Sequence, residues 1–203
     1  GGDNPVSVQS MCNVRTSNVS AVVAQINAAE KAGADIMRVS VLDEADANAI
    51  AEIKKSINLP LVADIHFDYR LALAAIESGA DKIRINPGNI GIDANVEKVA
   101  RALKDRGIPC RVGSNSGSVE KKFAEKYGNG AVALAESALE KAALLEKFGV
   151  RNIVLSAKSS SLRTTVGAYS YLSEKCDYPL HVGVTEAGTL KSGLIKCSAG
   201  IGS

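Results

Sequence analysis

Six short apolar segments in this chain are introduced alternately by a glycine and a proline, and that alternation limits the fold more than any other feature. The glycine-led segments are Gly33-Ala-Asp-Ile-Met-Arg-Val-Ser-Val41, Gly79-Ala-Asp-Lys-Ile-Arg-Ile-Asn86 and Gly149-Val-Arg-Asn-Ile-Val-Leu-Ser156. The proline-led segments are Pro60-Leu-Val-Ala-Asp-Ile-His66, Pro109-Cys-Arg-Val-Gly113 and Pro179-Leu-His-Val-Gly-Val-Thr185. A repeat of this kind signals a tandem architecture. The segments are short and rich in β-branched residues, like strands buried on both faces. Val6 to Met11 makes a plausible first strand.

Between these segments apolar residues recur at spacings of three and four, the signature of a helix with one buried face. Helices are expected from a cap at Thr16 or Ser17 to Lys31, from Asp43 to about Ser56, from Asp68 to Ser78, from Asp93 to Arg106, and over 131–148 and 161–176. Gly33, Gly79, Gly107 and Gly149 stand just past helix ends. About seven βα units result, with parallel strands and right-handed crossovers. Both a barrel and a doubly wound sheet fit this order. The barrel is preferred because polar residues recur at strand C-terminal ends, as one shared mouth requires, and because no GxGxxG follows the first strand. The expectation is an α/β fold, a TIM-type (βα)8 barrel in one domain over residues 1–203. A complete barrel typically needs about 250 residues, and the chain stops at Gly200-Ile-Gly-Ser203, where an eighth strand should begin. A barrel truncated before that strand is therefore expected.

Composition excludes several classes of function. A net charge of +2, 4% aromatic residues and no Trp give no footprint for nucleic acid. No apolar run reaches the roughly 18 residues of a membrane helix. The four cysteines, Cys12, Cys110, Cys176 and Cys197, form no CxxC pair, so no metal ligand set is read from them. Reduced thiols and a cytoplasmic setting follow.

In a barrel the chemistry sits at the C-terminal ends of the strands. Those positions carry Gln9, Met11 and Asn13; Arg38; Asp64 and His66; Arg84 and Asn86; Arg111 and Asn115; Lys158; Thr185 and Glu186. Arg38, Arg84 and Arg111 interrupt otherwise apolar strands. A buried cation is costly without a partner, and the local carboxylates, Asp64 and Glu186, are too few. An anion with several oxygens restores the balance, and arginine forks suit phosphate. A phosphate or diphosphate substrate is inferred. The other reading pairs each arginine with a structural carboxylate between layers. His66, two residues after Asp64, is a candidate hydrogen-bond donor or proton shuttle. Gly113-Ser-Asn-Ser-Gly117 offers backbone N–H groups for an anion. Lys158 suits phosphate pairing or a Schiff-base aldolase equally, and a pterin-binding transferase on a similar barrel is a further alternative.

Five motifs stand in order: Pro-Val-Ser-Val-Gln-Ser-Met11, Pro-Leu-Val-Ala-Asp-Ile-His-Phe67, Lys82-Ile-Arg-Ile-Asn-Pro-Gly-Asn89, Asn115-Ser-Gly-Ser118 and His181-Val-Gly-Val-Thr-Glu-Ala-Gly188. Together they resemble the GcpE (IspG) family of 4-hydroxy-3-methylbut-2-enyl diphosphate synthases, over nearly the whole chain. The resemblance implies an oxidoreductase of the methylerythritol phosphate route to isoprenoids. Its substrate is 2-C-methyl-D-erythritol 2,4-cyclodiphosphate, and ferredoxin or flavodoxin supplies two electrons through a [4Fe-4S] cluster. Carried onto this chain, substrate binding falls to Arg38, Asp64, His66, Arg84, Asn86, Arg111, Asn115, Lys158 and Ser198, with Glu186 and His66 as catalytic groups. Glu186 would donate a proton near the reacting carbon. Cys197 stands where many relatives have serine, and Cys12 replaces a usual threonine. The resemblance places the cluster ligands in a separate C-terminal domain, absent from these 203 residues, and implies a homodimer, with no nucleic acid or membrane partner.

Overall fold

The computed structural model describes residues 4–203. Two compact units divide the chain. One runs through Arg111 and takes in Leu145–Asn152; the other comprises Val112–Leu144 and Ile153–Ser203.

The first unit alternates strand and helix: β1 (Gln9–Met11), α1 (Val19–Lys31), β2 (Ile36–Val41), α2 (Glu44–Lys54), β3 (Leu61–Ile65), α3 (Tyr69–Glu77), β4 (Lys82–Ile85) and α4 (Asp93–Arg106). The strands lie side by side in chain order and all pair in parallel, with Met37 opposite Leu61 and Asp64 opposite Arg84. A doubly wound sheet reverses its order at a switch point. No reversal occurs from β1 to β4, as the barrel reading requires.

The Gly-Ala-Asp template has a physical reason. Gly33 and Gly79 close helices with φ of 95° and 90°, a left-handed turn that a side chain would resist. The aspartate two residues later then fixes the neighbouring strand. Asp35 Oδ2 accepts the Val8 N–H at 2.7 Å, and Asp81 Oδ2 accepts the Leu61 N–H at 2.7 Å. Asp43 and Asp68 cap α2 and α3 by accepting the N–H groups of Asp46 and Arg70. The cap expected at Thr16 or Ser17 falls instead on Asn18, whose side chain accepts the Ala21 N–H. Thr16 is drawn off because its hydroxyl donates to the Ser40 carbonyl at 2.6 Å.

The core of this unit lies between the helices and one face of the strands. Met37, Val39 and Val41 alternate inward along β2 and are buried, as are Val22 and Ile26 of α1 and Ile50 and Ile53 of α2. The intervening residues, Ile36, Arg38 and Ser40, are half-buried on the opposite face. Period-two alternation therefore sends Arg38 away from the helices.

The second unit contains the rest of β5 (Cys110–Asn115), α5 (Lys121–Tyr127), most of α6 (Ala131–Lys147), β6 (Ile153–Lys158), α7 (Leu162–Lys175) and α8 (Leu190–Gly202). Helix α5 was not anticipated from the sequence. The seventh strand expected over Pro179–Thr185 is reduced to one bridge, Leu155 to Leu180. The reason is a tyrosine. The Ala157 N–H donates to the Tyr169 hydroxyl at 3.2 Å, and that hydroxyl donates to the His181 carbonyl at 2.5 Å. Tyr169 relays the hydrogen bond that a continued ladder would make directly. None of the helices described is long and apolar enough to cross a membrane.

Candidate functional site

In the first unit, adjacent strands bring three expected residues around a single carboxylate. Asp64 of β3 is 4% exposed. Its Oδ1 accepts from Arg84 Nη1 at 3.0 Å, its strand partner on β4. Its Oδ2 lies 3.7 Å from both Arg38 Nε and His66 Nε2. Two permanent guanidinium charges thus share one carboxylate. Arg38 has the Met11 thioether against Nε and Nη2, a weak acceptor for a strong donor. Burial pulls the Arg38 pKa down; Asp64 opposes this and the positive Arg84 adds to it. Arginine nonetheless stays charged near neutral pH.

Arg111, on β5, is 1% exposed. Lys82 lies one pleat repeat before Arg84, on the same side of β4. Burial, followed by repulsion from Arg111, lowers the Lys82 pKa. Lys82 is a member of this cationic group that the sequence reading passed over, although its two-residue offset from Arg84 was the available signal. Asn86 follows β4 and is 6% exposed; its carbonyl accepts the Asn89 N–H at 2.8 Å and anchors a 3-10 turn over Pro87–Asn89. His66 follows β3 with its side chain 42% exposed, the most accessible member of the Asp64 cluster.

The second unit holds the other expected residues. Asn115 ends β5 and Lys158 ends β6. Gly183 passes so close to Lys158 that a β-carbon there would lie 3.1 Å from Nζ, so the glycine makes room for the ammonium group. Glu186 is exposed and holds φ at 49°, a left-handed conformation uncommon for a residue with a side chain. Ser198 is exposed within α8, eight residues beyond its first residue, and so beyond the free N–H groups of the first turn.

The cysteines do not form a cluster site. Cys12 and Cys110 are buried, and Cys176 and Cys197 are half-buried. Burial pushes the Cys110 thiol up to about 12, against the pull of Arg111 and Arg84. Among the described residues, no three His, Cys, Asp or Glu side chains group so as to hold a metal ion. The described residues do not fit an iron–sulfur cluster.

Comparison with known proteins agrees with the motifs. The chain is 57% identical to a 4-hydroxy-3-methylbut-2-en-1-yl diphosphate synthase (flavodoxin) of Caldanaerobacter subterraneus subsp. tengcongensis, with 100% of this chain and 58% of that protein aligned. It is 55% identical to the protein of the same name from Ruminiclostridium cellulolyticum, over 100% of this chain and 58% of that one. The chain thus spans somewhat over half the length of these curated relatives. Among solved structures, the Yersinia pestis dihydropteroate synthase matches with a TM-score of 0.65 at 14% identity, covering 96% of this chain and 79% of that one. At that identity the likeness concerns the fold alone. A family model described as the GcpE TIM-barrel domain matches residues 1–203, and the chain belongs to that family.

Proposed function

We propose that this chain is the substrate-binding barrel of a 4-hydroxy-3-methylbut-2-enyl diphosphate synthase. The reaction opens 2-C-methyl-D-erythritol 2,4-cyclodiphosphate reductively to 4-hydroxy-3-methylbut-2-enyl diphosphate and water. The observation that carries this reading is the charge excess at Asp64, where Arg38 and Arg84 share one carboxylate. A diphosphate supplies the missing negative charge and the acceptor oxygens that the thioether of Met11 cannot match. Arg38, Arg84 and Arg111 neutralise and orient the diphosphate, and Asp64 holds the first two in position. His66 and Asn86 donate hydrogen bonds to it. Asn115, Lys158 and Ser198 contact phosphate oxygens, and Glu186 donates a proton near the reacting carbon. Electrostatic stabilisation of the departing diphosphate oxygen is the chemical contribution of these cations. The names of the relatives support flavodoxin as electron donor. A [4Fe-4S] cluster would supply the two electrons, and none of the described residues of this chain would hold it; the protein acts as a cytoplasmic homodimer.

Calorimetric titration of the full-length protein with the cyclic diphosphate, on wild type and Arg84→Ala, tests this reading. Loss of one charge-assisted contact should weaken binding by roughly 1.5–3 kcal/mol. An unchanged affinity would remove Arg84 from the site, and no binding by wild type would end the reading.

A further inference from the structure

A second polar cluster, with three of its four members buried, lies in the second unit. It joins β5, the loop after it, and α6. Lys141 of α6 is 4% exposed, and Ser137, one helical turn earlier, is fully buried, as is Ser114 of β5. Lys141 Nζ lies 2.9 Å from Glu120 Oε1 and donates to Ser137 Oγ at 3.0 Å. Ser137 donates to Glu120 Oε2 at 2.7 Å. Its single proton is thereby committed, so the 2.9 Å contact with Ser114 Oγ has Ser114 as donor. The hydroxyl of Ser137 accepts from both Ser114 and Lys141 and is saturated.

Ser114 and Glu120 bracket Asn115 and the 3-10 turn Ser116–Ser118. Both ends of that loop are therefore fastened to Ser137 and Lys141, which share one face of α6 at i, i+4 spacing. A lysine almost never goes this deep without a reason, and nothing in the diphosphate reading uses it. We propose that Glu120, Ser137, Lys141 and Ser114 form a clamp that presets the Asn115–Ser118 loop for anion binding, making Glu120 and Lys141 positioning residues for substrate. The proposal rests on the diphosphate reading given above. Burial would raise the Glu120 carboxyl, but hydrogen bonds from Lys141 and Ser137 prevail and hold it below the ordinary glutamate value. Glu120 therefore stays charged, and the clamp stays closed, near neutral pH.

The test uses the full-length protein as wild type, Glu120→Gln, and Glu120→Gln with Lys141→Met. The double variant leaves no buried charge unpaired, so it is expected to fold even where the single variant does not. Hydrogen exchange of the 115–120 amides reads the clamp without ligand. Calorimetry with the cyclic diphosphate reads the loop's part in binding. In the double variant, loop exchange should accelerate at least tenfold and affinity should fall about tenfold, with thermal midpoint and α6 exchange close to wild type. Unchanged loop exchange overturns the clamp. Faster exchange with unchanged affinity overturns the loop's role in binding. Failure of wild type to bind the cyclic diphosphate sinks the diphosphate reading and this loop's role with it, while the exchange result still decides whether the clamp exists.

Discussion

Asp64 sets the electrostatic balance of its sheet face. It neutralises half of the charge that Arg38 and Arg84 bring to it. Replacing it with asparagine keeps the shape and removes the charge, leaving two partly buried guanidiniums facing each other. Removing one partner of a buried ion pair costs up to about 3–5 kcal/mol. Here Arg38 keeps 21% side-chain exposure and Arg84 12%, so the expected loss is smaller, about 1–3 kcal/mol. A site built for an anion makes a further demand, because pyrophosphate should restore part of the loss. Urea melts of wild type and Asp64→Asn, each with and without pyrophosphate, measure this. The anion should stabilise the variant more than wild type. Equal stabilisation of both proteins would mean that the arginines do not receive the anion.

At the scale of elements, Tyr169 explains why one expected strand is a single bridge. Its hydroxyl stands between the Ala157 N–H and the His181 carbonyl. Tyr169→Phe removes that relay and strands a buried donor and its acceptor, at a cost of about 1–3 kcal/mol. Chemical denaturation gives the size of the loss. A variant as stable as wild type would show that the His181 segment closes directly onto β6. Such a relay is illegible in sequence, since Pro179–Thr185 reads as a good strand and its interruption lies in a side chain ten residues upstream. Most other elements were legible because their determinants are local. Asp43 and Asp68 stand where caps must stand, and Gly33 and Gly79 end helices that no residue with a side chain would end as well. Arg38, Asp64 and Arg84 were also legible, being charges in strands whose neighbours are apolar. Lys82 escaped because attention to strand ends overlooks the layer beneath. The clamp escaped because Glu120 and Lys141 are 21 residues apart and each, taken singly, reads as solvated helix surface.

At the scale of the whole molecule, binding and chemistry make different demands on this chain. On the proposed reading the diphosphate needs only fixed cations, for which β2, β4 and β5 offer Arg38, Arg84 and Arg111. The proposed reductive ring opening would also need a route for two electrons. Among the described residues no three His, Cys, Asp or Glu side chains group so as to hold a metal ion. Binding and turnover should therefore separate in these 203 residues. Calorimetry should find the cyclic diphosphate bound, with affinity falling as salt rises, since salt screens the attraction of these cations for an incoming anion. The same preparation, metal-free and supplied anaerobically with reduced flavodoxin, should release no hydroxymethylbutenyl diphosphate by phosphorus NMR, under conditions in which a full-length relative turns over. Product formed by the 203 residues alone would place the redox chemistry inside the barrel and overturn this division of labour. Absence of binding would show that the cations serve the fold rather than the substrate.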